Sequence, residues 1–426
     1  MHVPIESFRL ANGLLVTLSE DHSAPVVTVN LWYHVGSANE RPGRTGFAHL
    51  FEHMLFQGSA HVAANEHFEI IQRAGGTLNG STWLDRTNYF ETVPAHHLGV
   101  VLWLEADRMG QLLPAMTQQK LDTQRDVVKN ERRWSVDNQP YGTWWERLPA
   151  LAFPEDHPFH HSLIGSFEDL DAANLGDITA FFSRFYAPDN AVLTIAGDFE
   201  RQEARRLVEE HFGPIPASGR VPPLPSMEVD EKFGDWRRET VEDDVALPRL
   251  FLAFRSPRLG TEGYYVACIC AAILGLRRGS RLQRTLVREQ RIASDCTAFT
   301  LGLAKGADVL VLDVTGRPGT TADSLERAVG AEVDRLRADG VAGAEVVRAA
   351  ALLETSTVTA LQTAADRADK ISQFACYFGD ANLVNAEIDR IRAVTPEAVN
   401  KFARRFLGED NRRSLTYVAR PGSAVT

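Results

Sequence analysis

Phe181-Phe-Ser-Arg-Phe-Tyr-Ala-Pro-Asp-Asn-Ala-Val-Leu-Thr-Ile-Ala196 is echoed by Phe402-Ala-Arg-Arg-Phe-Leu-Gly-Glu-Asp-Asn-Arg-Arg-Ser-Leu-Thr-Tyr-Val418. Each stretch reads as a helix end with Phe at i and i+4, an Asp-Asn turn and a Leu-Thr strand, with one residue inserted in the second copy. A single helix-turn-strand unit can recur by chance. The joint between the copies is marked separately, by Gly213-Pro-Ile-Pro-Ala-Ser-Gly-Arg-Val-Pro-Pro-Leu-Pro225 with its five prolines. Proline fixes φ and lacks a donor, so this run is expected to be an extended, semi-rigid connector. Each repeat is about 200 residues, too long for a solenoid unit. The expected layout is two homologous domains, 1–215 and 233–426, joined by a linker at 216–232.

Strand and helix patterns mix without strict alternation. Gly13–Leu18, Val26–Val35, Thr77–Thr82 and Thr87–Val93 read as strands. Thr45–Gln57, Asn65–Ala74, His97–Gly110 and Thr117–Val136 read as helices. This order predicts an α+β fold in which helices cover a mostly antiparallel sheet in each domain.

The chain has 426 residues and a formal charge of −11. With 44% hydrophobic and 24% charged residues it is an ordinary globular composition, which argues against intrinsic disorder. The acidic balance argues against nucleic acid as a partner. The apolar run from Tyr264 to Leu276 is too short to span a bilayer, so it is expected to be a buried helix and no membrane partner is expected. The N-terminal stretch has neither a basic nor an apolar signal region. Cys268, Cys270, Cys296 and Cys376 match no zinc-ligand spacing and read as buried reduced thiols. A cytoplasmic location is the expectation.

The chemistry lies in Thr45-Gly-Phe-Ala-His49-Leu-Phe-Glu52-His53-Met-Leu-Phe-Gln-Gly58. Thr45 is expected to cap this helix, and Gly58 to take the left-handed position past its end. His49 and His53 are four apart, so both imidazoles leave one helix face about a turn apart. That spacing suits two ligands of one tetrahedral cation. Glu52 leans toward the same face without being a ligand. The neighbouring residues are apolar, and a cation would offset the cost of burying these polar groups among them. The competing reading is a helix with two hydrogen-bonded core histidines. His-x-x-Glu-His is the inverted form of the His-Glu-x-x-His zinc peptidase helix.

Together with Gly75-Gly-Thr-Leu-Asn-Gly-Ser-Thr82 and Asp85-Arg-Thr-Asn-Tyr-Phe90, this helix resembles the pitrilysin family of inverted-zincin metallopeptidases. The likeness is to its short bacterial and mitochondrial-processing-peptidase-like branch. The resemblance implies a zinc endopeptidase acting on unfolded peptides or leader segments, with one Zn²⁺ per chain. It implies a third ligand on a long downstream helix, where Arg125-Asp-Val-Val-Lys-Asn-Glu131 matches the family pattern. Gln124 stands where such relatives often have a second glutamate, which removes a charge beside the ligands but not a ligand. Glu52 would be the general base for a water activated by zinc. Thr77–Thr82 would be the edge strand that receives substrate as an added strand, with Asn79, Gly80 and Ser81 near its backbone. Trp83, Trp134, Trp144 and Trp145 read as packing residues rather than pocket walls.

The family also supplies an Arg/Tyr pair from the half facing the zinc. Here Leu286-Val-Arg-Glu-Gln-Arg-Ile-Ala-Ser294 puts Val287 and Ser294 at those positions, with Arg288 one residue away. The resemblance therefore implies a heterodimer, rather than a homodimer, in which a homologous partner subunit supplies the pair. The alternatives are a non-catalytic structural or assembly subunit of the same fold, and a peptide-binding module without turnover.

Overall fold

Alternation in Val27-Thr-Val-Asn-Leu-Trp-Tyr33 gives one strand an apolar face and a polar face, and both are buried. The computed structural model describes residues 2–219 and 225–420. Within them the first sheet contains β1 (Glu6–Arg9), β2 (Leu15–Glu20), β3 (Val26–Tyr33), β4 (Thr77–Thr82), β5 (Thr87–Pro94) and β6 (Ala191–Gly197). The order is β1-β2-β6-β3-β5-β4, with only the β2–β6 pair parallel. The second sheet contains β7 (Trp236–Asp243), β8 (Arg249–Ser256), β9 (Ala293–Thr300), β10 (Asp308–Gly316) and β11 (Arg412–Ala419), in the order β7-β11-β8-β10-β9. Its one parallel pair is β7–β11.

Without β1, the two sheets have the same topology. The repeated Asp-Asn turn does the same work in each. Asn190 Nδ2 donates to the Phe185 carbonyl (2.8 Å) at the preceding helix end, and Asn411 Nδ2 donates to the Phe406 carbonyl (2.6 Å). The fold is α+β with mostly antiparallel sheets, as expected.

Helices α1 (Phe47–Met54), α2 (Glu66–Arg73), α3 (Leu98–Gln111) and α4 (Gln118–Arg132) fall where the periodicity puts them, with ends trimmed by up to four residues. They are followed by α5 (Trp144–Ala152), α6 (Phe167–Asp171), α7 (Leu175–Phe185) and α8 (Arg201–Phe212). The later helices are α9 (Glu262–Gly275), α10 (Ala322–Asp339), α11 (Gly343–Ala360), α12 (Ala364–Phe378), α13 (Glu387–Arg392) and α14 (Pro396–Phe406). The apolar run expected to be a buried helix is α9, and no described helix is long and apolar enough to cross a membrane. The cysteines are free, and burial pushes the Cys268 thiol up to about 11 and those of Cys270 and Cys296 to about 12.

The compact units are not the continuous stretches 1–215 and 233–426. One comprises Met1–Arg132, His161–Pro225 and Val358–Ala386; the other comprises Arg133–His160, Ser226–Thr357 and Glu387–Thr426. Residues 220–224 of the expected linker lie outside the described residues.

The polar face of the first sheet explains one exchanged segment. Helix α12, capped by Thr363 and ended by Gly379 at φ 72°, covers that face. Ser372 Oγ donates to Thr194 Oγ1 (2.7 Å), Trp32 Nε1 donates to Asp369 Oδ1 (3.2 Å), and the Tyr377 hydroxyl donates to Asp85 Oδ1 (2.6 Å). Each buried polar group thereby gains a partner, which apolar helices could not offer. Arg367 pairs with Asp21 at 2.6 Å.

In the second unit α5 covers the corresponding sheet face. The Trp144 ring stacks on Phe251 at 4.8 Å, which bears out its reading as a packing residue. Arg255 and Arg413 donate to the Ala152 carbonyl (2.5 Å) and the Leu151 carbonyl (3.0 Å) at the end of α5. These cations meet the negative end of the helix dipole.

Two outcomes are expected. A chain truncated after Pro225 lacks α12, so it should lose cooperative thermal unfolding and bind a hydrophobic dye; a sharp transition in that fragment would contradict this architecture. The Arg367 guanidinium beside Asp21 holds its carboxyl below the usual carboxylate range. That pair stabilises the fold above the ordinary Asp value of about 4, and the contribution is lost as pH falls through the lower folded-state value. Asp21→Asn should therefore lower the melting temperature at pH 7 and converge with the unsubstituted chain in acid.

Candidate metal centre

Helix α1 is short and deeply set. Leu50, Phe51 and Met54 are fully buried, which fixes the rotation of the helix and leaves His49, Glu52 and His53 on the opposite side. Its start differs from the sequence expectation. Thr45 is not the cap; its N–H and hydroxyl both bond Asp169 Oδ2 (2.9 and 2.5 Å). The residue before the helix is Gly46, at φ 80°, where a Cβ would lie 2.4 Å from the Ile164 carbonyl oxygen. Only glycine fits that position.

The free amides of the first turn are satisfied by Glu40. Its carboxylate accepts from the N–H of Gly46 (3.0 Å) and of Ala48 (2.7 Å) and pairs with His161 Nε2 at 2.9 Å. Burial raises the Glu40 carboxyl, against the opposing pull of His161. Burial would lower His161, but the hydrogen bond and charge of Glu40, with the Ser37 carbonyl and Asp169, together raise it. A carboxyl placed at a helix N-terminus follows from the helix dipole and the free first-turn amides. Gly58 has φ 90°, as its expected left-handed position requires.

Helix α4 brings Glu131 to α1. Its other side is tied down by Arg125, which donates to the Leu170 and Ala173 carbonyls (2.8 and 2.6 Å), and by Lys129, paired with Asp171 at 2.8 Å. Arg132 adds a bond to the Gly165 carbonyl (2.7 Å). Glu131 Oε1 lies 3.6 Å from His49 Nε2, and Oε2 lies 3.1 Å from His53 Nε2. One ligand atom from each residue falls within 4.8 Å of the others. Two atoms bound about 2.05 Å from a tetrahedral ion would be about 3.3 Å apart, so these separations fit a zinc-sized cation.

Protonation fits as well. Burial pushes His49 down to about 4, leaving a neutral imidazole at pH 7. Burial would raise Glu131, but the His53 hydrogen bond and the nearby imidazoles hold it below its ordinary value. Neutral imidazole and ionised carboxylate are the forms a cation takes. The His49, His53 and Glu131 side chains could therefore hold zinc. Gln124 lies two turns before Glu131 on α4 and is buried.

Glu52 stands apart from this trio. Burial raises its carboxyl, opposed by a hydrogen bond from Thr82 Oγ1 to Oε2 at 2.6 Å. Gly80 faces it, and a Cβ there would lie 3.0 Å from Glu52 Oε1. Strand β4 is the free edge of its sheet. Asn79 is exposed and its Oδ1 accepts from the Gly80 N–H (2.9 Å), while Ser81 Oγ donates to Asn88 Oδ1 (2.7 Å). Of the three expected strand residues, only Gly80 shares the face that meets Glu52. Thr82 was not among them, although the two-residue period from Gly80 points to it.

A second buried group, His67, Glu91 and Glu105, also brings ligand atoms together. Arg108 already supplies a cation there, bonded to Glu105 and 3.6 Å from Glu91. Burial pushes Glu105 up to about 8 and His67 down to about 3.

The chain is similar to several known proteins. Residues 15–161 match the family described as Insulinase (Peptidase family M16), and residues 172–353 match the Peptidase M16 inactive domain. The zinc protease PqqE of Helicobacter pylori is 29% identical over 87% of this chain and 83% of its own length. A probable mitochondrial-processing peptidase subunit beta of Arabidopsis thaliana is 24% identical over 93% of this chain and 75% of its own. The crystal structure of a protease from Helicobacter pylori superposes with a TM-score of 0.92 at 26% identity, covering 98% of this chain and all of that one. A peptidase M16 inactive domain structure from Pseudomonas fluorescens has a TM-score of 0.83 at 17% identity, covering 98% of this chain and 99% of that one.

Replacing Glu40 with Ala should leave two helix amides unpartnered and the His161 imidazole with only the Ser37 carbonyl. The expected loss is about 2–4 kcal/mol of unfolding free energy by urea titration, with Glu40→Gln losing less. An unchanged midpoint for Glu40→Ala would remove the carboxylate from its capping role.

Proposed function

The chain belongs to the pitrilysin family of metallopeptidases, peptidase family M16, and on that premise we propose that it is a zinc-dependent endopeptidase subunit. It would hydrolyse peptide bonds of unfolded peptides or leader segments in a chamber formed with a homologous partner subunit. The observation that carries the reading is the convergence of His49, His53 and Glu131, with Glu52 beside them but held separately by Thr82.

In this reading His49, His53 and Glu131 hold one zinc ion. When bound, zinc supplies Lewis acidity that lowers the pKa of a water and polarises a carbonyl. Glu52, with its carboxyl raised by burial, takes the proton of the attacking water and returns it to the leaving amine. Thr82 fixes one Glu52 oxygen and leaves the other toward Gly80, where the bare Cα allows a peptide to come close.

The edge strand sets the substrate's direction. Trp83 N–H bonds the Arg86 carbonyl (2.8 Å), so by antiparallel alternation the backbone groups of residues 82, 80 and 78 face the free edge. An extended peptide adding there pairs through its backbone, with little demand on side chains. Asn79 Oδ1 holds the Gly80 N–H, and that amide becomes available to substrate when Asn79 turns away.

The Arg/Tyr positions support the need for a partner. Val287 packs against the apolar core of the second unit, and the Ser294 hydroxyl bonds the Thr315 and Gly316 carbonyls (both 3.2 Å). Neither offers a donor for a developing oxyanion. A non-catalytic assembly subunit is the second reading, favoured by the match of residues 172–353 to the inactive domain. The retained Glu52 argues against it, because a structural zinc site needs no base.

Glu52→Gln should reduce cleavage of a quenched peptide by about 10²–10⁴-fold with the zinc content unchanged. The assay compares the chain alone with the chain plus a homologous subunit that has the Arg/Tyr pair. Retained turnover in Glu52→Gln, or no zinc by elemental analysis of the unsubstituted chain, would end the hydrolytic reading. Full activity of the chain alone would end the heterodimer.

A further inference from the structure

We propose that the second unit carries a docking strip for a carboxylate-rich peptide segment, formed by Arg277, Arg278, Arg284, Arg288, Arg291 and Arg348. The class of ligand, a peptide, rests on the endopeptidase reading. The strip itself lies wholly in the second unit and shares no residue with the zinc centre.

Local chain geometry brings these arginines together. Arg277 and Arg278 lead out of α9. A Cβ on Gly279 would lie 3.5 Å from Arg348 Nε, so α11 brings a third guanidinium to that turn. The Arg284 N–H bonds the Ser280 carbonyl (3.0 Å) and belongs to the π-helical turn Gln283–Glu289. Leu282, Thr285 and Leu286 are buried on the inner side of this stretch. Arg284 and Arg288, four apart, are left exposed on its outer side, and Arg291 continues the line.

Neighbouring carboxylates do not neutralise the strip. Among the described residues Arg277, Arg278, Arg288, Arg291 and Arg348 form no ion pair, and Arg284 Nε reaches only Glu289, at 3.9 Å. Glu345 is already held by Arg281 through two bonds (both 2.8 Å), and Asp295 accepts from Gln283 Nε2 (3.0 Å). By contrast, exposed Arg206 pairs with Glu203 and Glu210, and exposed Arg405 with Glu231. The whole chain has a formal charge of −11, so the strip is a local reversal of its field.

The arrangement is costly without an anion. Arg277 has φ 63° and Arg291 has φ 57°, left-handed positions that glycine takes more readily. Like charges four residues apart repel. The dipole of α9 would be answered by one or two cations rather than six. Guanidinium forks bind carboxylates through paired hydrogen bonds, so an acidic peptide segment compensates this crowding. Nucleic acid is disfavoured, because residues 277–291 contain no aromatic ring for base stacking and the chain is acidic overall.

The test is fluorescence anisotropy of labelled hexaglutamate with the full chain carrying Glu52→Gln, so that binding is read without cleavage. A failure of the peptidase reading would show in the cleavage assay above and not in this titration. Saturable binding is expected, weakened at least about tenfold between about 50 and about 300 mM salt. Arg284→Glu with Arg288→Glu should weaken it by about tenfold or more. The charge-matched control, Arg206→Glu with Arg405→Glu, should leave it unchanged. Arg277→Gly with Arg291→Gly should also weaken binding while melting no lower, since it removes two guanidinium groups from strained positions. That variant carries the test if the charge reversal does not fold. No saturation up to about 1 mM hexaglutamate, equal losses in the control, or tighter binding of a single-stranded oligonucleotide or of phosphatidylserine vesicles would overturn the proposal.

Discussion

Glu131 set against the paired imidazoles of His49 and His53 is the contact on which the first unit depends. His49 is buried while His53 and Glu131 are partly exposed, and the carboxylate set against the imidazoles offsets the hydration that burial removes from His49. The surrounding structure serves that convergence. Leu50, Phe51 and Met54 lock the rotation of α1, Glu40 satisfies its first amides, and Arg125 and Lys129 hold α4 in place. The rigidity comes from the two helices and their anchors, as a preorganised site requires.

The duplication shows what the fold needs and what the chemistry adds. Both sheets have one parallel pair, and both turns use an asparagine to close the preceding helix. In the first unit the helix that follows the second strand of the repeat is α1, with its two histidines and Glu52. In the second unit it is α9, with Tyr265, Ala267, Ile269, Cys270 and Ile273 buried and no histidine among its residues. The same topology tolerates a polar buried helix or a wholly apolar one. What it requires is a helix over the sheet; the function lies in the side chains placed on it.

Exchange of segments ties the chain's two compact units to each other's sequence. Helix α12 completes the first and α5 completes the second, so each depends on residues far from its own main stretch. The polar strand face made of Thr17, Asn30, Asn88 and Thr194 is buried under α12, whose Ser372 and Asp369 match it. The contacts of α5 with Phe251 through Trp144 and with Arg255 and Arg413 through its last carbonyls, and the hydroxyl bond of Thr143 just before it to Tyr417, serve the second sheet in the same way.

The sequence by itself determined what local geometry controls. His-x-x-Glu-His puts two imidazoles on one helix face because four residues make about one turn. The echoed Asp-Asn turns disclosed the duplication, and the two-residue period located β3, β4 and β5. Glu131 came only with the family likeness, since nothing local separates it from a solvated helix glutamate. Tertiary structure decided the rest. Glu40 as cap, Thr82 as the holder of Glu52 and α12 as the cover of the first sheet are non-local contacts. Their residues have no periodic signature. An alternating strand with one polar face reads as half solvated, and only packing reveals that a distant helix has replaced the solvent.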